Sequence, residues 1–136
     1  MSRRSDQRSA AAFALYEHAV TGKELDDVFE RDASEFTRAL SYAAQDYGED
    51  LDQLIARHSQ GWAIDRIAPL ERAIMQIALV EMLHPDAIPA DTPIPPEGAI
   101  DEAVETAKTF CGAQAPAFVN GVMAAALREI RETSPS

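Results

Sequence analysis

The chain is poor in the residues on which most enzymes, secreted proteins and membrane proteins depend. Its 136 residues include one cysteine, Cys111, which excludes an internal disulfide and suits a reducing, cytoplasmic compartment. No apolar run reaches the roughly 18 residues of a membrane span, so no transmembrane helix is expected. The N-terminus carries arginines without the apolar stretch and cleavage site of a secretory signal. The three histidines, His18, His58 and His84, lie far apart and match no metal-ligand spacing. Glycine is scarce, and no glycine-rich loop is present to cradle a phosphate. Cys111 has no histidine near it in sequence and falls on an apolar helical face, as a small core residue does. The acidic pairs Asp26-Asp27, Glu49-Asp50 and Asp101-Glu102 fall at helix starts, where carboxylates complement the helix dipole, so they do not argue for acid/base dyads. The expectation is a protein with no catalytic residue, no metal and no cofactor.

Positive charge is also short. Twelve lysines and arginines face 23 acids, for a net charge of −11, which argues against a protein that coats nucleic acid indiscriminately. The charge is uneven along the chain. Residues 1–20 carry Arg3, Arg4 and Arg8 against Asp6 and Glu17, whereas residues 21–110 carry seven cations against 19 carboxylates. A nucleic-acid contact is therefore expected near the ends.

What is present is helical periodicity. Ala11, Ala14, Leu15 and Ala19 share one face of a first helix that Gly22 closes in a left-handed cap. A short second helix holds Leu25, Val28 and Phe29. Ser34 caps a third with Phe36, Leu40, Ala43 and Tyr47 on its stripe, ended by Gly48. Leu51, Leu54, Ile55 and His58 mark a fourth, closed at Gly61, and Asp65 caps a single turn ending near Ala68. Pro69 opens a fifth helix, apolar on more than one side and so central to a bundle. Five prolines make 85–96 an irregular connection. Ile100, Ala103, Val104, Ala107 and Phe110 mark the sixth helix. Val119, Val122, Met123, Ala126 and Ile130 mark the last; the Asn120-Gly121 pair would suggest a hairpin elsewhere, but the helical spacing after it outweighs that signal. No stretch alternates at period two. The reading is an all-α fold of about seven helices in one domain over 1–136, with a basic tail at 1–4 and a loose tail at 133–136.

Two features could meet RNA. Arg4 and Arg8 are four apart and share a helix face, so they could straddle a phosphate backbone, although a solvated basic tail has the same spacing. Phe118 sits in Ala117-Phe118-Val119-Asn120-Gly121, where its ring could stack on a base or simply fill the core.

Several blocks in this order resemble the NusB family: Arg8 with Ala14-Leu15-Tyr16; Gly61-Trp62; Ile67-Ala68-Pro69-Leu70-Glu71-Arg72-Ala73-Ile74 with Ile77-Ala78-Leu79 and Glu81-Met82-Leu83; Ala99-Ile100-Asp101-Glu102-Ala103-Val104-Glu105; and Phe118-Val119-Asn120-Gly121-Val122. The resemblance implies two packed helical subdomains and a bacterial transcription antitermination factor. It implies binding of boxA RNA from ribosomal leader transcripts, a heterodimer with the small-subunit ribosomal protein NusE, and entry into the RNA polymerase antitermination complex. It also allows a homodimer. It assigns RNA contact to the arginine-rich start, here Arg3, Arg4 and Arg8, and to Phe118, and it makes Asn120-Gly121 a turn that shapes the last helix. Departures from the family pattern thin its basic surface: Asp6 and Gln7 within the arginine motif, Glu97, Asp101, Ala117, and Ala124-Ala125. They lead to an expectation of weak, salt-dependent RNA binding by the chain alone. The alternative is a protein-interaction module of the same fold that has lost RNA affinity.

Overall fold

The computed structural model describes residues 3–89 and 93–133. Among them are seven α-helices, two single 3₁₀ turns and no strand. Helix α1 spans Arg4–Thr21, α2 Leu25–Val28, α3 Glu35–Asp46 and α4 Gly48–Arg57, while α5 spans Pro69–Leu83, α6 Pro96–Phe110 and α7 Ala115–Thr133.

Local chemistry sets most of these boundaries. Gly22 ends α1 at φ 76°, its N–H donating to the His18 carbonyl at 2.9 Å. Ser34 caps α3, its hydroxyl accepting from the Thr37 N–H at 3.0 Å. Pro69 and Pro96 take first helical positions, where a missing N–H costs nothing.

Some boundaries differ from the sequence expectation. Arg4 belongs to α1, not to a tail, because its guanidinium lies 4.1 Å over the Phe36 ring and donates to Gln7 Oε1 at 2.7 Å. Helix α4 stops at Arg57, before Gly61, and Asp65 lies inside the 3₁₀ turn Ile64–Arg66 without capping it. A second 3₁₀ turn, Pro85–Ala87, stands within the proline-rich connection, and Pro96 already belongs to α6. Asn120-Gly121 is not a turn. Helix α7 starts at Ala115 and carries Phe118, Asn120 and Gly121 in its first two turns. Pro116, a residue that suits a helix start, was the overlooked signal. Thr133 closes α7; residues 1–2, 90–92 and 134–136, which fall in the expected tails and connection, lie outside the described residues.

Helix α5 is the axis. Every residue from Ala73 to Glu81 except Gln76 is buried, and α5 touches α1, α3, α4, α6 and α7. Helices α1, α3, α6 and α7 pack around it, α2 rests on α1, and α4 bridges α3 to α7. Fully buried Leu79, Met75 and Met123 occupy the shared core. Each such side chain contributes about 1.5–3 kcal/mol by leaving water. Contacts fix the directions. Ser5 and Arg8 meet Glu102, and Phe13 meets Phe110, so α1 and α6 run the same way. Arg8 meets Glu81 near the far end of α5, which therefore runs opposite to both. Arg131 reaches Glu97, so α7 returns along α6. Glu129 accepts from Arg57 and pairs with His58, tying α7 to the end of α4; these partners hold its carboxyl down to about 2.

Candidate nucleic-acid interface

The start of α1 brings Arg3, Arg4 and Arg8 to one end of the bundle. Arg3 and Arg4 are exposed and make no ion pair among the described residues, so their charge faces solvent. Arg4 and Arg8 do share a face, lying 4.1 and 5.4 Å from the Phe36 ring centre. Phe36 thus acts as an apolar platform beneath two cations.

Arg8 differs from its neighbours. Its Nε and Nη2 donate to the two oxygens of Glu81 at 2.6 and 2.9 Å, and its Nη1 donates to Glu102 Oε1 at 3.1 Å. The Arg8 side chain is 11% exposed and that of Glu81 5%. Three of the five guanidinium donors are therefore held by carboxylates. Ser5 adds a hydroxyl donor to Glu102 at 2.8 Å. The arrangement locks α1 to α5 and α6. It holds the guanidinium in a direction set by protein acids, and a phosphate would have to compete with both.

Phe118 sits at the opposite end. It is half-buried against the core and borders a surface groove with Trp62, Arg66, Glu71 and Gln114. Glu71 and Glu81 mark the two ends of α5, ten residues and so about 15 Å apart along the axis. The arginine end and the aromatic end thus lie at opposite ends of α5. Burial raises the Glu71 carboxyl above its usual range, and burial followed by the Glu71 charge raises the Cys111 thiol, the opposite of nucleophile activation.

The histidines have local partners. His18 Nδ1 meets the Lys23 carbonyl at 2.5 Å, His58 meets Glu129 at 2.8 Å, and His84 stacks on Tyr47 at 3.6 Å. Among the described residues no group of three or more His, Cys, Asp or Glu could hold a metal, and no helix is long and apolar enough to cross a membrane. Sequence reasoning missed Glu81 and Glu102 as the partners of Arg8, Phe36 beneath Arg4, and Trp62 beside Phe118. Only Trp62 carried a signal in sequence, as the one tryptophan of the chain, next to a glycine.

The NusB family profile matches residues 5–128. The chain is 36% identical over 105 residues to the transcription antitermination protein NusB of Symbiobacterium thermophilum, covering 77% of this chain and 65% of that protein. It is 36% identical over 129 residues to that of Rubrobacter xylanophilus, covering 90% and 88%. Among solved structures, T. maritima NusB superposes with a TM-score of 0.78 at 26% identity, covering 94% of this chain and 92% of that one. A structure described as antitermination factors NusB and NusE in complex with dsRNA superposes with a TM-score of 0.74 at 23% identity, covering 93% and 96%, a likeness of fold.

Proposed function

This chain belongs to the NusB family, and on that premise we propose that it is a non-enzymatic transcription antitermination factor that binds boxA RNA of ribosomal leader transcripts together with NusE, as part of the RNA polymerase antitermination complex. The observation that carries the RNA contact is the pair Arg3 and Arg4. In a chain of net charge −11 they are exposed and adjacent at the start of α1, with no ion pair among the described residues. They supply the phosphate contacts, Phe118 supplies a stacking face at the other end of α5, and a single strand runs between them. Arg8 acts chiefly by holding α1, and so Arg4, in place. NusE supplies the contacts that the acidic middle of the chain lacks. A cytoplasmic site of action follows from this role.

The test is fluorescence anisotropy with boxA and scrambled RNA, with and without NusE, using the full chain. The expected result is a preference for boxA that strengthens when NusE is present. Equal binding of the two RNAs under both conditions would overturn the reading. In that event, retention of NusE binding would favour a protein-interaction module of the same fold, for which the sequestration of Arg8 by Glu81 and Glu102 is the motivating observation.

A further inference from the structure

Trp62 is 54% exposed, the most exposed aromatic side chain among the large hydrophobics of the surface. An indole left in water forgoes about as much burial energy as any side chain can give, so its position asks for a reason. It is held outward by a built turn. Gln60 and Gly61 are both left-handed, at φ 53° and 87°, and the Trp62 N–H donates to the Ser59 carbonyl at 3.2 Å. Ser59 is itself buried, its hydroxyl donating to the Ile55 carbonyl at 2.6 Å. A non-glycine residue at positive φ is strained, and Gln60 adopts it at the bend that projects the indole.

The indole faces two adjoining grooves, of about 330 and 580 Å³, and both are also lined by Phe118 and Gln114. Trp62 and Phe118 both border each groove, and among the described residues no ring stacking joins the two. Arg66 lines the same surface, exposed and without an ion pair among the described residues. Glu71 lies on the groove as well, and its carboxyl disfavours a phosphate there. Two flat apolar faces, an amide, an open cation at one side and an acid within form a cleft for a base, with its phosphate turned toward the arginine.

We propose that Trp62 is a second stacking residue of the RNA interface, and that the cleft it forms with Phe118 takes one unpaired base of a single-stranded RNA, with Arg66 on the flanking phosphate. The proposal rests on the RNA-binding reading above and adds a subsite to it. Trp62 gives direction to the strand at the end of the molecule farthest from Arg4. Its sequence tolerance follows from stacking, since every base offers a π-face.

The test uses the chain's single tryptophan as its own reporter. Single-stranded boxA RNA is titrated into the full chain while tryptophan emission and anisotropy of labelled RNA are both followed. Stacking quenches the emission with the same midpoint as the anisotropy, and Trp62→Leu weakens binding about 5- to 150-fold, the range that one base–aromatic stack supplies. Trp62→Phe recovers most of that loss, and circular dichroism of the variants stays that of the parent because the ring lies outside the core. Binding by anisotropy with unchanged emission, or with Trp62→Leu equal to the parent, overturns the subsite and leaves the antitermination reading standing. An emission change seen with NusE alone assigns the cleft to a protein and likewise overturns the subsite. Absence of RNA binding by both readouts removes the subsite and the RNA reading together.

Discussion

Glu81 is an acid within the most apolar helix of the chain, and the Arg8 guanidinium that meets both its oxygens makes it tolerable there. Removing one member of a buried pair leaves the other charge without its partner, at a cost of about 3–5 kcal/mol. Glu102 stays beside Arg8 in a Glu81→Ala variant, so the expected loss is near the lower end, about 3 kcal/mol. The urea midpoint measures it. A change below about 1 kcal/mol would show that Arg8 is free to turn outward, toward RNA. At this scale the sequence was half legible. The spacing of Arg4 and Arg8 placed both on one face, as found over Phe36. The acids that occupy Arg8 come from two other helices, and no local spacing discloses a contact made by folding.

Helices are more legible than their ends. The 3.6-residue repeat of apolar positions located all seven, since burying a stripe is what makes a helix worth forming in a bundle. It outweighed the Asn120-Gly121 pair, a dipeptide favoured in turns that lies inside α7. Tertiary packing of Val119, Val122 and Met123 on the core outweighs the local preference. This has a measurable counterpart. A Cβ added at Gly121 would meet nothing within 4 Å, so Gly121→Ala is expected to stabilise the protein by about 0.5–1 kcal/mol. A lower melting temperature for this variant would speak for a turn instead. The closure of α4 at Arg57 was equally hidden, because the Glu129 carboxylate that draws in Arg57 and His58 belongs to α7.

For the whole molecule, the proposed RNA binding turns on charge placement. The acidic span 21–110 repels a phosphate chain, so attraction concentrates on a few cations at the edges. Each phosphate contact contributes about 0.7 to the slope of log affinity against log salt for a single strand. Replacing both Arg3 and Arg4 by glutamine is therefore expected to flatten that slope by about 1.4. An unchanged slope in salt titrations would mean that neither arginine touches phosphate. The separation of Phe118 from the arginines was not legible, since it depends on the direction in which α5 and α7 cross the bundle. The clamp on Arg8 also has a history in time. Its two carboxylates follow it in the chain by 73 and 94 residues. At the pace of a ribosome, Glu81 emerges about 4–15 s after Arg8. During those seconds the nascent first helix carries a guanidinium without the two carboxylates that hold it in the fold, and α1 can dock for good only once the fifth helix has been made.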